Sequence, residues 1–452
     1  MGMVLRSDVS DHFAAYVGEL TKVVGHADRA APLRDYCSGL LATEGRRSVE
    51  PMAAVTAPSR VSAQHQKLLH FVANATWSDE RLLAKVRELV LPAMTRHGPI
   101  EAWIIDDTSF PKKGSHSVGV HHQYCGQLGK QANCQVAVTV SIANHHASLP
   151  IAYQLYLPQA WAEDKKRRAK AHVPAAIEFK TKPQIALEQL RAAHEAGVPP
   201  GVVQMDASYG SNRALRDGIT ALGLTYAAAI VPTVKVRPVR NARNRRVSVK
   251  DLALRLPKHA WRSITWREGS NERLRSRFAR VRVRAAPIRG AATCAEETLL
   301  IEWPVGESEP TKYWLTTVDQ NMSFRDLVDL VKMRWRIERD YQDLKQEIGL
   351  GHYEGRGWQG FHHHGTLSIA AYGFLVSERE TIPPSTPRFE KPAVPSGYRP
   401  RGAADPARTP RPKLDRHDPT PAGRSDRKNH ATMSALLRTP LSAQCAPNFL
   451  TQ

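Results

Sequence analysis

The sequence predicts an α/β fold, and three observations support this class. Short apolar runs rich in β-branched residues alternate with amphipathic helical stretches over residues 98–232. A helical stretch precedes this part at 1–97, and a β-rich stretch interrupts the alternation at 233–320. The chain has 452 residues, of which 42% are hydrophobic, so it is long enough for two or three domains.

The charge balance favours a polyanionic partner. Lys and Arg number 64 against 43 Asp and Glu, which gives a net charge of +21 and favours nucleic acid ahead of an anionic membrane. No apolar run approaches the roughly 20 residues of a membrane span, and the N-terminus lacks the apolar region of a signal peptide. We therefore expect a cytoplasmic protein. The five scattered cysteines fit free thiols in a reducing compartment: Cys37, Cys125, Cys134, Cys294 and Cys445.

The first predicted domain, residues 1–97, is helical. Residues 79–94 show the strongest helical periodicity, and Ser78 before them is a predicted N-cap. No stretch fits a helix-turn-helix strictly, but a helical domain at the start of a basic chain is compatible with DNA binding. We predict that role for 1–97.

Residues 98–232 have the order of strands and helices of a ribonuclease H-like core. The order is strand, strand, strand, helix, strand, helix, strand, at 102–107, 133–144, 149–158, 182–197, 202–206, 211–223 and 225–231. In this fold three antiparallel strands precede a parallel strand that lies beside the first. Asp106 or Asp107, predicted to end the first strand, would then lie near Asp206, which ends the fourth.

The remainder of the chain divides into three further parts. Alternating Arg and apolar residues at 275–288 predict that the insertion, 233–320, is β-rich with one cationic face. Residues 321–380 are predicted to complete the core with helices. Residues 381–452 hold 13 of the 31 prolines and few large aliphatic residues, which predicts a disordered tail.

The predicted helix at 324–350 carries a third acid. One face has a carboxylate between two cations and a phenol, all within roughly 60° of one another at about 100° per residue: Arg334, Glu338, Tyr341 and Lys345. The neighbouring strip is apolar: Met333, Ile337, Leu344 and Ile348. Taken alone, the placement of charged residues on this helix is equally explained by a surface ion pair between Arg334 and Glu338.

Three carboxylates are therefore candidates for one site: Asp106 (with Asp107 beside it), Asp206 and Glu338. Hard oxygen ligands suit Mg²⁺ or Mn²⁺. Two ions would activate an attacking water or 3′-hydroxyl and stabilise the leaving oxygen. Nearby Arg and Lys residues would hold DNA phosphates in line. Aspartates at strand ends are also common turn formers, so each acid alone has a purely structural explanation.

Four motifs together resemble the DDE transposases of bacterial insertion sequences, and most closely the branch named after insertion sequence 701. The motifs are IIDDTSFPKKG (104–114), SVGVHHQYCGQLGKQANCQVAV (117–138), QMDASYG (204–210) and RWRIERDYQDLKQEIGLGHYEGRGWQGFHHH (334–364). The resemblance implies a ribonuclease H-like catalytic core with a β-rich insertion between the second Asp and the Glu. It also implies metal-dependent cutting and joining of DNA, with the terminal inverted repeats and target DNA as partners of a possible homodimer.

The resemblance assigns the catalytic metal ligands to Asp106, Asp206 and Glu338. The family's first Asp is followed by one residue and then by Thr or Ser. Thr108 occupies that position, which favours Asp106 over Asp107 as the first acid.

A signature of related transposases, Tyr-x2-Arg-x3-Glu-x6-Lys, is matched in three of its four positions. Arg334, Glu338 and Lys345 occupy the last three positions, whereas Val331 replaces the Tyr. Tyr341 is a speculative substitute, because the predicted helix puts it on the same face as Glu338.

Five residues are candidates for DNA contact: Arg334, Lys345, Lys112, Lys130 and Tyr341. Solvated loop lysines are the alternative for Lys112 and Lys130. A zinc site is the alternative for another group, although its spacing fits no strict zinc motif and structural histidines and free thiols are favoured: His121, His122, Cys125, Cys134, His145 and His146. The tract HHH at 362–364 is predicted to cap, pack or touch phosphate rather than bind metal.

Two alternative functions remain open. The chain could be a transposase-derived DNA-binding protein with a degraded site, although the presence of all three acids argues against this. It could also be a nuclease that hydrolyses DNA without joining strands. Hydrolysis and strand transfer use the same ligands, so the sequence does not separate them.

Overall fold

A computed structural model describes residues 2–239, 246–268, 273–285 and 295–381. Apart from Thr381, the predicted tail 381–452 lies outside the described residues, as do Cys294 and Cys445. The described part is mixed α/β and is built on one sheet of 12 strands, which confirms the predicted class. None of its helices combines the length and apolar character that a membrane crossing requires.

Five helices precede the sheet. They are α1 Gly2–Thr21, α2 Ala30–Ala42, α3 Val49–Thr56, α4 Val61–Ala73 and α5 Asp79–Met94. The predicted N-cap of α5 is confirmed, because Ser78 Oγ accepts a hydrogen bond from the backbone N–H of Arg81 at 3.2 Å. Buried Leu82, Val86 and Val90 form the apolar strip of α5.

In the described part, the sheet begins with six strands, five of which were predicted for the core, whereas the strand at 121–125 was not. They are β1 Ala102–Pro111, β2 His121–Cys125, β3 Lys130–Ala143, β4 Ser148–Leu155, β5 Val202–Met205 and β6 Tyr226–Ile230. β1, β3 and β4 form an antiparallel set, and β5 lies parallel to β1 on the other side. The order β4-β3-β1-β5-β6 is consistent with a ribonuclease H-like core.

Helices flank these strands. They are α6 Gln159–Ala162, α7 Lys165–Lys170, α8 Lys182–Glu195, α9 Ala207–Gly210 and α10 Arg213–Ala221. α8 begins with a capping box in which Thr181 and Gln184 each bond to the other's backbone N–H. The one-turn helix α9 directly follows β5 and so marks the carboxyl end of that strand.

The first strand is longer than predicted. Residues 108–111 continue β1 past Asp106 and Asp107, because they pair with residues 134–137 of β3. Both acids therefore lie in the middle of the strand instead of at its end. Asp206, by contrast, follows the last residue of β5, as predicted.

The β-rich part extends the same sheet through the pairing of its last strand with β6. Its elements are β7 Lys235–Pro238, β8 Val247–Ser248, α11 Val249–Leu254, β9 Trp261–Glu268, β10 Arg273–Ala285, β11 Glu296–Pro304 and β12 Lys312–Thr316. The strand order from β6 onward is β12-β11-β10-β7-β8, with β9 also paired to β10.

The arginines of β10 do not form the single cationic face that was predicted. Side chains alternate between the two faces of a strand. Arg277 and Arg280 are three positions apart, so their side chains point to opposite faces. Arg277 stacks on Trp303 on one face. Arg280 instead donates to the carbonyl oxygens of Gln320 and Met322, at the opposite face, which α12 (Phe324–Lys332) covers.

The predicted helix at 324–350 is three pieces. α12 ends at Lys332, α13 runs from Trp335 to Asp343, and a π-helical turn spans Leu344–Ile348. The predicted apolar strip is confirmed, because its members are at most 2% exposed: Met333, Ile337, Leu344 and Ile348.

The last described helix, α14 (Trp358–Thr381), is buried along most of its length and contacts α2, α4 and α5. The tract of three histidines at its start packs, as predicted. The Nε2 atom of His362 accepts from the N–H of Leu155 in β4, and Trp77 stacks on His363 with ring centroids 3.7 Å apart. Nδ1 of His364 bonds to the Tyr36 hydroxyl at 2.9 Å. The tract therefore ties the N-terminal helices to the sheet.

Burial in this tract predicts acid-sensitive folding. Desolvation lowers the pKa of His364 to about 4, against 6.5 for a solvated histidine. The unfolded chain therefore binds one more proton than the folded chain between these values, and stability falls as the pH falls from about 6.5 toward 4. His364→Gln should reduce the loss of unfolding free energy between pH 6.5 and 5 by about 2 kcal/mol. Denaturant titrations at both pH values measure this difference, and an unchanged pH dependence in the variant would contradict the assignment.

Candidate active site

The first two predicted acids lie level with each other across two parallel strands. β1 and β5 pair only from Ala102↔Val202 to Ile104↔Gln204. Two residues farther along each strand, the same register brings Asp106 level with Asp206. The negative charge of Asp206 contributes to a raised Asp106 pKa, as expected for two neighbouring carboxylates.

Asp106 is mostly buried, with 15% of its side chain exposed. Its Oδ1 accepts from Arg334 Nη2 at 3.0 Å and from the N–H of Asp107 at 2.9 Å. Burial raises the Asp106 pKa to about 6, the Arg334 guanidinium opposes that shift, and the two neighbouring aspartates add to it.

Asp107 points to the opposite face of β1, because consecutive side chains of a strand alternate. One carboxylate oxygen accepts from Lys182 Nζ of α8 at 2.7 Å, and the other accepts from the hydroxyl of Tyr209 in α9. Asp107 therefore holds two helices against the sheet, whereas Asp106 faces Arg334. This geometry favours Asp106 as the first acid of a site.

Asp206 caps the short helix that follows β5. Its Oδ1 accepts from the backbone N–H groups of Ser208 and Tyr209 and from the Ser208 hydroxyl, at 2.6 to 3.1 Å. Gly210 ends the same turn where a Cβ would collide with the carbonyl oxygen of Ala229 in β6. The close packing of α9 on β6 thus fixes the position of Asp206.

Glu338 lies on α13 with 70% of its side chain exposed, and Arg334 connects it to Asp106. Nη1 of Arg334 is 3.7 Å from Glu338 Oε1, while Nη2 donates to Asp106. The guanidinium is therefore the cation between these two acids, and its Nε is buried without a hydrogen-bond partner among the described residues. The ion pair that offered a structural explanation for Glu338 is present.

The three acids suit a divalent ion by chemistry but do not form a metal cluster in this arrangement. Carboxylate oxygens are the ligands that Mg²⁺ and Mn²⁺ prefer. Across the described ranges, however, no three His, Cys, Asp or Glu side chains converge closely enough to hold an ion. Arg334 lies between Asp106 and Glu338, and Asp206 is engaged as a helix cap.

The three lysines predicted to contact DNA differ in the burial and hydrogen bonding of their side chains. Lys345 Nζ donates to the carbonyl oxygen of Ser109 at 2.9 Å, and burial lowers the Lys345 pKa to about 8. Lys112 Nζ donates to the carbonyl oxygen of Tyr353 at 3.0 Å, and burial lowers its pKa as well. Lys130, at the start of β3, is exposed.

Val331, at the Tyr position of the helix signature, and Tyr341, its proposed substitute, both point inward. Tyr341 is 7% exposed, and its burial raises the hydroxyl pKa, so its placement does not support a direct DNA contact. Tyr341 is three residues after Glu338, about 60° around the same helix, so the boundary between the exposed and the buried side of α13, which contacts β1 and β4, lies between the two residues. Val331, at the Tyr position of the signature, is buried in a cluster with Phe278 and Trp314.

Sequence reasoning missed several residues that position this site. Lys182 and Tyr209 hold Asp107, and Tyr209 was detectable as the residue three positions after Asp206, one helical turn away. Arg47 of the N-terminal part donates from Nη1 to the carbonyl oxygen of Gln346, and its backbone N–H donates to His352 Nδ1 at 2.9 Å. Arg47 has no local sequence signal, since its partners lie about 300 residues away.

The alternative zinc ligands are spread over several environments. Cys125 and Cys134 are buried free thiols, as is Cys37. His145 pairs with Glu101 at 3.3 Å, and His146 packs against His97. None of the described residues forms a group that could hold a zinc ion.

Comparisons with known proteins agree with the resemblance seen in the motifs. A family model described as "DDE superfamily endonuclease" matches residues 19–273, and a model described as "Transposase DDE domain" matches residues 178–374. A protein from Microchaete diplosiphon, named "Probable transposase for insertion sequence element IS701", is 32% identical over 166 residues. That alignment covers 36% of this chain and 40% of the relative, so the chain matches less than half of the relative's length. The first model alone spans more than half of the sequence, and the chain therefore belongs to the DDE superfamily of endonucleases.

Proposed function

We propose that this protein is the transposase of a bacterial insertion sequence and that it cleaves DNA at the ends of that element and joins them to target DNA. The observation that carries the proposal is the placement of Asp106 level with Asp206, with Glu338 linked to Asp106 through Arg334. The transposase match over 178–374 and the similarity to a probable insertion-sequence transposase support it.

The architecture under this proposal is a ribonuclease H-like core that carries an insertion. The order β4-β3-β1-β5-β6 supports such a core, and the strands between Asp206 and Glu338 support an insertion at that point. The proposed domains are 1–97 for DNA binding, 98–232 and 321–380 for the core, and 233–320 for the insertion.

The residues of the site have separate tasks in this proposal. Asp106, Asp206 and Glu338 would hold two Mg²⁺ or Mn²⁺ ions, which supply Lewis-acid stabilisation of the oxygens that carry charge during phosphoryl transfer. The cationic side chains of Arg334 and Lys345 position a DNA phosphate beside the carboxylates. Asp107, Lys182 and Tyr209 keep β1, α8 and α9 in place beneath the acids.

The proposed partners are the terminal inverted repeats of the element and target DNA. The net charge of +21 supports a polyanionic partner, and a homodimer on DNA would bring two element ends together. We place this activity in the bacterial cytoplasm, where the nucleoid DNA is found. Lys112 and Lys130 are further proposed phosphate contacts.

A nuclease that hydrolyses without joining strands is the second candidate function. The match to a probable transposase, over 40% of that protein's length, favours strand transfer only indirectly, since the same carboxylates serve both reactions. An assay that follows both nicking and the joined product separates the two candidates.

The two adjacent aspartates give the sharpest test of the first acid. Asp106→Asn should lower the cleavage rate of element ends on the order of 1000-fold, which corresponds to about 4 kcal/mol in activation free energy. Asp107→Asn is the matched control: it should mainly lower the thermal midpoint, because it weakens the bonds to Lys182 and Tyr209. If Asp107→Asn abolishes cleavage in a folded protein while Asp106→Asn does not, the assignment is reversed.

The second and third acids should behave as Asp106 does. Asp206→Ala and Glu338→Ala should abolish Mg²⁺-dependent cleavage while binding of element ends stays within a few-fold of wild type. Cleavage gels and fluorescence anisotropy on the same DNA measure the two properties. Wild-type cleavage by either variant would remove that residue from the site.

Arg334 should contribute to DNA binding through a phosphate contact. Arg334→Ala should lower the slope of log Kd against log salt by about 0.9, as expected for one lost phosphate contact. Arg339→Ala, five residues farther along α13 and so about 140° around the helix, is the control with the same loss of charge. A salt slope equal to that of the wild type would argue against the phosphate role.

A further inference from the structure

One region of the β-rich part combines exposed arginines with two tryptophans. It comprises Trp261, Ser263, Arg275, Arg277 and Trp303, and we refer to it as the outer stripe. Its arginines and Ser263 are exposed, and its tryptophans are half-buried. Such a combination is typical of binding surfaces rather than of plain solvated strand faces.

The register of three neighbouring strands places these residues side by side. Ser263 of β9 pairs with Arg277 of β10, which pairs with Trp303 of β11. Trp261 lies two residues before Ser263 on the same face of β9, and its ring meets that of Trp303 edge-on at 5.2 Å. Arg275 continues the stripe and donates from Nε to the Ser263 hydroxyl at 2.6 Å.

Stacking holds the Arg277 guanidinium in place. Its central carbon lies 4.1 Å from the centroid of the Trp303 ring. The indole N–H of Trp303 donates to the carbonyl oxygen of Glu307 at 2.9 Å, which fixes the ring. A stacked guanidinium keeps its N–H groups available at its edge, in the planar geometry that suits a phosphate.

The charge of the stripe is uncompensated within the described ranges. Arg282 and Arg284, farther along β10, both pair with Glu296. Among the residues that the structure describes, no carboxylate forms an ion pair with Arg275 or Arg277. The same strand therefore carries one pair of arginines that shares a carboxylate and one pair that has no carboxylate partner among the described residues.

The outer stripe lies on the face of the sheet opposite α12. Glu302 bonds to Lys332 of α12, so the neighbouring Trp303 points to the other face. β10 is four strands from β5, which is roughly 19 Å at a strand spacing of about 4.8 Å. A ligand on the stripe is therefore separate from a phosphate held at Asp106 and Arg334.

We infer that the outer stripe binds the phosphate backbone of a DNA duplex, in a segment other than the one held at the carboxylates. The inference rests on the proposed function, which supplies DNA as the polyanion. Charge complementarity supports this occupant, and the net charge of +21 disfavours a second copy of the same chain. Two guanidiniums, one of them stacked, give about two phosphate contacts and no reading of base sequence.

The test compares two double variants of the full-length protein. Arg275→Ala/Arg277→Ala removes the stripe charges, and Arg282→Ala/Arg284→Ala removes the same charge from the same strand on the opposite face. Each is titrated into a fluorescent duplex of arbitrary sequence, about 30 base pairs long, over a range of KCl concentrations. The stripe variant should bind roughly tenfold or more weakly at low salt, with a salt slope lower by about 1.8. The control variant should stay close to wild type, and both should keep the wild-type thermal midpoint.

Three results would overturn the inference. The first is unchanged affinity and salt slope in the stripe variant. The second is an equal loss in both double variants, which would show a general effect of net charge. The third is a change in oligomeric state, measured by analytical ultracentrifugation, with unchanged DNA binding, which would make the stripe a protein interface.

The proposed function is tested separately by cleavage. If the wild-type protein does not cleave and the stripe variant still loses DNA affinity, the transposase proposal fails while the DNA surface stands. If Trp303→Phe, which keeps an aromatic ring, retains affinity and Trp303→Ala loses it, stacking on Arg277 is supported; equal affinity in both would remove Trp303 from the surface.

Discussion

The short parallel pairing of β1 with β5 is the constraint on which the candidate site depends. Only three residue pairs join these strands, from Ala102↔Val202 to Ile104↔Gln204. A shift of one residue in this register would turn the side chain of one strand to the other face. Such a shift would end the present arrangement, in which Asp106 faces Arg334 and also lies level with Asp206. Trp103, Ile104 and Val203 oppose such a shift, because all three are fully buried and a shift would force side chains of different size into closely packed positions.

The sequence contained enough information for the order of the predicted core strands and for the position of Asp206 at the end of β5. Asp206 was predictable because a short apolar strand ends directly before it and a one-turn helix follows. The extent of β1 was not predictable from the sequence. Thr108, Ser109 and Phe110 form strand only because they pair with residues of β3 that lie 25 or more positions later in the chain. Thr108 already favoured Asp106 over Asp107 through the family resemblance, and the tertiary contacts agree, with Arg334 on one face and Lys182 and Tyr209 on the other.

Prediction failed most clearly on the helix that carries Glu338. Helical periodicity treats residues 324–350 as one regular rod, but the chain breaks after Lys332 and passes into a π-helical turn at Leu344. The same apolar residues are buried whether the helix is continuous or broken, so the hydrophobic periodicity does not reveal the break. Tyr341 shows a second limit of the pattern: it lies about 60° from Glu338 within the unbroken helix α13, yet Tyr341 is buried and Glu338 is exposed.

The three buried histidines of α14 have a consequence for how such proteins diversify. His362 binds β4, His363 stacks on Trp77, and His364 bonds to Tyr36. The N-terminal helices are therefore built into the same hydrophobic core as the catalytic sheet and are not joined to it by a tether. An exchange of residues 1–97 between relatives would succeed only if the matching face of α14 travelled with them. If residues 1–97 have the proposed role in DNA binding, that role is expected to evolve by surface substitution within one body and not by shuffling of an autonomous module.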